Sequence, residues 1–166
     1  ITRPRTILIH PDGRSIVMSG FANYGLTGGG FGIYDRITGK QREITGWLPG
    51  HSCIALAALP EGDLVGGTSI EAPGGGKVLA KAARLFRLSW PDGKLRDSVE
   101  LPGVSNVIAL AVYRGKIVAV DSGRRLLIAD PGDLSRFEVR PFPAEWGDAP
   151  RKALLPTPDG RLFLLL

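Results

Sequence analysis

The feature that most constrains this chain is a unit that returns four times: an apolar run, a tight turn carrying glycine, and a second apolar run. Thr6–His10 leads through Pro11-Asp12-Gly13 into Ile16–Met18, and Ile54–Leu59 leads through Pro60-Glu61-Gly62 into Leu64-Val65. Val107–Val112 leads through Tyr113-Arg114-Gly115 into Ile117–Val120, and Ala153–Leu155 leads to Pro158-Asp159-Gly160 and Leu162–Leu166. The turn glycines fall at 13, 62, 115 and 160, so the spacings are 49, 53 and 45 residues. A Pro-Asp-Gly turn between apolar runs predicts a hairpin: proline presets φ, the Asp side chain bonds nearby backbone, and glycine accepts a positive φ.

Three of the units have a second half of the same kind. Phe31–Asp35 continues through Thr38-Gly39-Lys40 to Gln41–Ile44, and Leu85–Leu88 continues through Pro91–Lys94 to Leu95–Leu101. Leu126–Asp130 continues through Pro131-Gly132-Asp133 to Phe137–Arg140. Each full unit therefore holds four short strands, A to D. Four antiparallel strands every 40 to 50 residues or so are the sequence mark of a β-propeller blade. Strands A and B are nearly all apolar, as strands buried on both faces must be, whereas strand D alternates charge as an outer edge does. A two-sheet sandwich explains the number of strands but not their period. The fold expected is all-β, a β-propeller of four-stranded antiparallel blades that is incomplete in this chain. The blades fall at about 6–46, 53–101 and 106–142, with half a fourth at 152–166. Rings typically close with four to eight blades, so the remaining blades are expected from the same gene or from a second chain, and the sequence reads as a fragment.

Particular segments resemble known propellers. Tyr34-Asp35-Arg36-Ile37-Thr38-Gly39-Lys40 resembles the YD-x-x-TGK segment of YVTN-type and PQQ-like propeller repeats. Gly50-His51, ahead of a strand A whose turn is Pro60-Glu61-Gly62, resembles a degenerate WD40 opening, although the closing Trp-Asp of that repeat is missing. At this superfamily level the resemblance implies a fold and no particular activity.

Other classes fit poorly. The net charge is +5, yet the 21 basic residues are scattered among 16 acidic ones, the densest spots being only Arg124-Arg125 and Arg151-Lys152, without the basic stripe of a nucleic-acid binder. No apolar run approaches the ~18 residues of a membrane helix. Cys53, alone among its kind and set in an apolar run, offers no disulfide and no cysteine zinc site. These features describe a soluble chain, cytoplasmic or secreted. Gly74-Gly75-Gly76-Lys77 lacks the Ser or Thr of a phosphate loop, and no G-x-S-x-G or H-E-x-x-H occurs.

The A–B and C–D turns are short, whereas the B–C and D–A connections are long and irregular, at residues 21–30, 70–81 and 143–148. In a propeller these long connections share one face, and long loops on a rigid scaffold are where binding residues gather. The candidate ligand-binding residues are Asn23, Tyr24, His51, Glu71, Lys77, Asn106, Asp121 and Trp146, with no catalytic residue named and the metal ligands unknown. The expected function is a non-catalytic propeller module that binds a protein or small ligand through this face. The alternative is a propeller enzyme acting on a sugar, lactone or polysaccharide. No cofactor is predicted. A divalent metal in the central channel is suggested by analogy with sugar-lactonase-like propellers, which hold one in a ring of Glu, Asn and Asp. Partners expected are a protein or a carbohydrate-like ligand and the remaining blades, not nucleic acid or membrane.

Overall fold

The computed structural model describes residues 3–166. Among them the chain forms fourteen strands and no helix. The first sheet is β1 (Arg3–Ile9), β2 (Ser15–Phe21), β3 (Phe31–Asp35) and β4 (Gln41–Ile44), the second β5 (Ser52–Ala58), β6 (Leu64–Ser69), β7 (Arg84–Leu88) and β8 (Leu95–Glu100). The third is β9 (Val107–Tyr113), β10 (Lys116–Asp121), β11 (Arg125–Asp130) and β12 (Asp133–Pro141), followed by a hairpin of β13 (Leu154–Pro156) and β14 (Leu162–Leu164). In every sheet the strands lie in chain order and pair antiparallel. The all-β architecture of successive four-stranded antiparallel sheets is the one expected.

The turns form as their residues dictate. At Arg114-Gly115 both central residues have positive φ, 48° and 71°. That is the primed two-residue turn whose twist matches a hairpin. In the Pro11-Asp12-Gly13 turn the Asp12 carboxylate accepts the backbone N–H groups of Arg14 and Ser15 at 2.9 and 2.8 Å.

The sheets stack face to face through three cores. Val17, Phe31, Ile33, Leu56, Leu64 and Phe86 fill the first interface. Val65, Leu85, Val107, Ile117, Ala119 and Leu127 belong to the second. Ala109, Ala111, Val118, Val120 and Leu154 fill the third. Adjacent residues of one strand serve opposite cores: Leu64 and Phe86 point to one side of the second sheet, Val65 and Leu85 to the other. The innermost strands β1, β5, β9 and β13 neighbour one another. Together they line a central groove of about 180 Å³, with Thr6, Ala55, Ala109 and Leu154 on its wall. The outer strand β4 is largely exposed.

Close approach requires small residues on the inner strands. A methyl group at Gly67 would overlap the Val107 side chain of the next sheet, and one at Gly66 would overlap Phe86. Gly67→Ala is expected to destabilise the chain by about 1–3 kcal/mol through overpacking. Urea unfolding checks this, and a midpoint equal to that of the parent contradicts it.

Candidate functional site

The two ends of the sheets differ in chemistry. At the short-turn end, polar contacts clamp neighbouring sheets together. His10, buried, stacks on Trp90 of the second sheet with ring centroids 4.1 Å apart. Its Nε2 donates to the Gly62 carbonyl at 2.7 Å, while Nδ1 accepts the Asp12 N–H at 3.1 Å. The Trp90 indole N–H donates to Asp12 at 3.2 Å. Asp63, also buried, accepts from Arg87 Nε at 2.8 Å and from the Trp90 N–H at 3.1 Å, with Arg96 Nε at 3.1 Å. Arg87 reaches onward to the Pro131 carbonyl of the third sheet at 2.9 Å. A cleft of about 500 Å³ opens between Asp12, Arg14, Asp35, Arg42 and Trp90. Its carboxylates are engaged by protein donors: Asp35 holds Arg14 at 2.5 Å and the Thr38 hydroxyl at 2.7 Å.

These contacts set the ionisation of the carboxylates. Burial pushes the Asp12 carboxyl up, but hydrogen bonds from the Ser15 and Arg14 backbone and the Ser15 hydroxyl outweigh it and hold the pKa at about 2. Burial likewise opposes, and the Trp90 N–H with Arg87 and Arg96 overcomes, at Asp63, whose pKa is lowered. The Arg14 guanidinium lowers that of Asp35.

The opposite end carries the long connections, which run together. The Gly25 N–H donates to the Pro73 carbonyl at 3.4 Å, joining the 21–30 loop to the 70–81 loop. Gly74 leaves room for the Tyr24 ring against it, and Gly76 approaches the Gly25 backbone. The Ile70 N–H donates to Ser105 O at 3.0 Å and the Ser122 N–H to Asn106 O at 2.9 Å. Arg124 donates to the Trp146 carbonyl. The surface is thus continuous from the first sheet to the hairpin.

The eight candidate residues play different parts on it. Tyr24, Lys77 and Trp146 are exposed, Tyr24 by 69%. The Arg3 guanidinium lies 4.3 Å from the Tyr24 ring centre. Trp146 packs on Phe142, 5.6 Å between centroids. Asn23 is exposed and turns the loop, its side-chain oxygen accepting the Tyr24 N–H at 2.9 Å. Glu71 and Asn106 come together, the Asn106 amide donating to Glu71 at 2.7 Å. The Asn106 side-chain oxygen Oδ1 and the Ser52 hydroxyl are buried without a partner among the described residues.

His51 and Asp121 are instead parts of the frame. His51 is buried, with Nδ1 2.9 Å from Pro49 O and Nε2 3.1 Å from Ala82 O. Both ring nitrogens thus face backbone carbonyls inside the protein, and neither is turned toward a ligand. Asp121 is buried, takes Arg125 Nε at 2.7 Å, and accepts the N–H groups of Gly123 and Arg125 in its turn. Among the described residues no group of three or more His, Cys, Asp and Glu side chains is placed to hold a metal ion. Cys53 is fully buried and burial pushes its thiol up to about 12.

Asp12, with its folded pKa below the ordinary 3.8, contributes stability above about pH 4 that is lost as pH falls toward 2. Asp35, Asp63, Asp130 and Asp159 are shifted the same way. Thermal melts between pH 6 and 2 are therefore expected to fall from about pH 4 downward, and Asp12→Asn to reduce that slope. A variant whose melting temperature follows pH as steeply as the parent's contradicts the assignment.

No family model matches the sequence, and no curated protein matches it. Solved structures do. The crystal structure of the RRP9 WD40 repeats superposes with a TM-score of 0.63 at 14% identity, over 84% of this chain and 38% of that one. A chain in the crystal structure of the mitotic checkpoint complex gives 0.64 at 18% identity, over 96% of this chain and 45% of that one. The chain thus spans less than half the length of each of these structures. Its fold is that of stacked β-propeller blades of the kind built by WD40 repeats.

Proposed function

We propose that the chain is a non-catalytic propeller module that binds a protein partner through the face formed by its long loops. The observation that carries this reading is the joining of the 21–30 and 70–81 loops into one surface with Tyr24 exposed on it. A large aromatic held outside on a rigid scaffold is the usual anchor of a protein interface. The groups that acid–base chemistry would need are otherwise engaged: both His51 nitrogens face carbonyls, and Asp121 is paired with Arg125. The mitotic checkpoint structure is that of a complex, which agrees with a protein-binding role.

Tyr24→Ala, Lys77→Ala and Trp146→Ala are each expected to weaken recovery of a partner isolated with the parent chain, at unchanged melting temperature. Full recovery by all three variants overturns the reading.

The sheet faces at the two ends of the stack support a second element of the proposal, further blades that cover them. Ile7, Ile9, Met18 and Tyr34 are exposed on the first sheet, and Leu155 and Phe163 on the hairpin. Blades from the same polypeptide or from a second chain bury these side chains as the three internal cores bury theirs. Ile9→Glu in the complete assembly then places an unpaired charge in an apolar interface and lowers stability by several kcal/mol. A melting temperature as high as the parent's argues against further blades on that face.

A further inference from the structure

Resting on the loop-face reading, we infer that this surface recognises a partner segment in which an apolar side chain is flanked by carboxylates. The first support is the composition of the joined loops. Residues 25–28 and 76–79 run side by side, because Gly76 lies against the Gly25 backbone while Gly28 and Leu79 both approach Gly50. This arrangement sets Tyr24, Leu26, Val78 and Leu79 on one patch, exposed by 69, 59, 52 and 61%. Four large apolar side chains on neighbouring loops differ from a surface with single scattered hydrophobes, and such patches mark interaction sites.

The second support is charge. Through residues 21–30, 45–52 and 70–83, which build the patch, the ionisable side chains with a full charge are Glu71, Lys77 and Lys81. Glu71 is bonded to Asn106. Lys77 and Lys81 are exposed, and neither ammonium meets a carboxylate or a hydrogen-bond acceptor among the described residues. Arg3 adds a third cation behind Tyr24, and its Nη2 is buried without a hydrogen-bond partner. The patch is therefore apolar at its centre, and at its margin Lys77, Lys81 and Arg3 outnumber the single carboxylate, Glu71, leaving a net positive charge. Complementary potentials across an interface steer association and select partners, so acidic residues beside an apolar anchor match both properties at once. The loops are held by backbone hydrogen bonds and by glycine contacts, so the patch exists before a partner arrives, and binding does not need to order it.

The experiment pans a displayed library of random twelve-residue peptides against the full chain and maps the selected peptides by photocrosslinking. The expected result is enrichment of peptides with two or more Asp or Glu around an aromatic or aliphatic residue, crosslinked to the 21–30 and 70–81 loops. Such peptides lose about tenfold or more in affinity for the Lys77→Glu/Lys81→Glu double variant, and a similar amount for Tyr24→Ser, while binding to the parent weakens with added salt. Selected peptides that crosslink to the loops without acidic enrichment overturn the partner chemistry and leave the loop-face reading standing. Crosslinks on the short-turn end, or failure to select any peptide, overturn both. Capture by vesicles containing phosphatidylserine or by single-stranded DNA that is lost in the lysine double variant, with no acidic peptide selected, assigns the cations to a different class of partner and also overturns the inference.

Discussion

Side chains on a strand alternate between the two faces of its sheet, and in the second and third sheets both faces are buried. Every other property of the stack follows from that demand. Leu64 and Val65 are neighbours in sequence but belong to different cores, as do Ile117 and Val118. The inner strands therefore have no polar face to offer water, which is why they read as continuous apolar runs. Size is constrained as strictly as polarity. Gly66, Gly67, Ala109, Ala111 and Ala119 occupy places where adjacent sheets or strands approach closely. Larger side chains such as Phe31 and Phe86 fill the space further out, with ring centroids 6.1 Å apart.

Apolar packing alone leaves the sheets free to slide on one another, and the short-turn end supplies direction. His10, Asp12 and Trp90 fix the first sheet to the second through a ring stack and two hydrogen bonds. Arg87 and the Asp97 carboxylate, which accepts the Leu134 N–H at 3.1 Å, fix the second to the third. With registration secured there, the opposite end needs no uniform turns. Its loops differ in length and composition from sheet to sheet, as a surface for recognition requires.

Much of this architecture was legible because it is periodic. Four glycine turns and apolar runs recurring every 45 to 53 residues announce strands, their pairing and their stacking without any long-range information. The clamps were not legible, since Asp12 and Trp90 are 78 residues apart and nothing near either names the other. His51 shows the same limit at the candidate site. A histidine on a connection has the sequence signature of an exposed base, but the fold brings Ala82 O to its second nitrogen and buries the ring. Asp121 precedes a turn and reads as a polar rim residue until Arg125, four positions on, is seen to pair with it. Tyr24 and Lys77 needed only their setting in glycine-rich loops to be recognised as exposed. That those loops touch depends on Gly25, Gly74 and Gly76, whose missing side chains leave no pattern to read.

The three cores lie one after another, each shared by two sheets and by no third. The chain is thus nearly one-dimensional in its energetics, a row of units joined by nearest-neighbour terms. Damage in one core weakens two sheets and spares the remainder, so fraying proceeds from either end of the row toward the second sheet. The contact between the 21–30 and 70–81 loops spans the boundary between the first and second sheets, and it therefore reports on the coupling held by Phe31, Phe86 and the His10–Trp90 stack. A change that loosens that coupling separates the two loops before it unfolds either sheet.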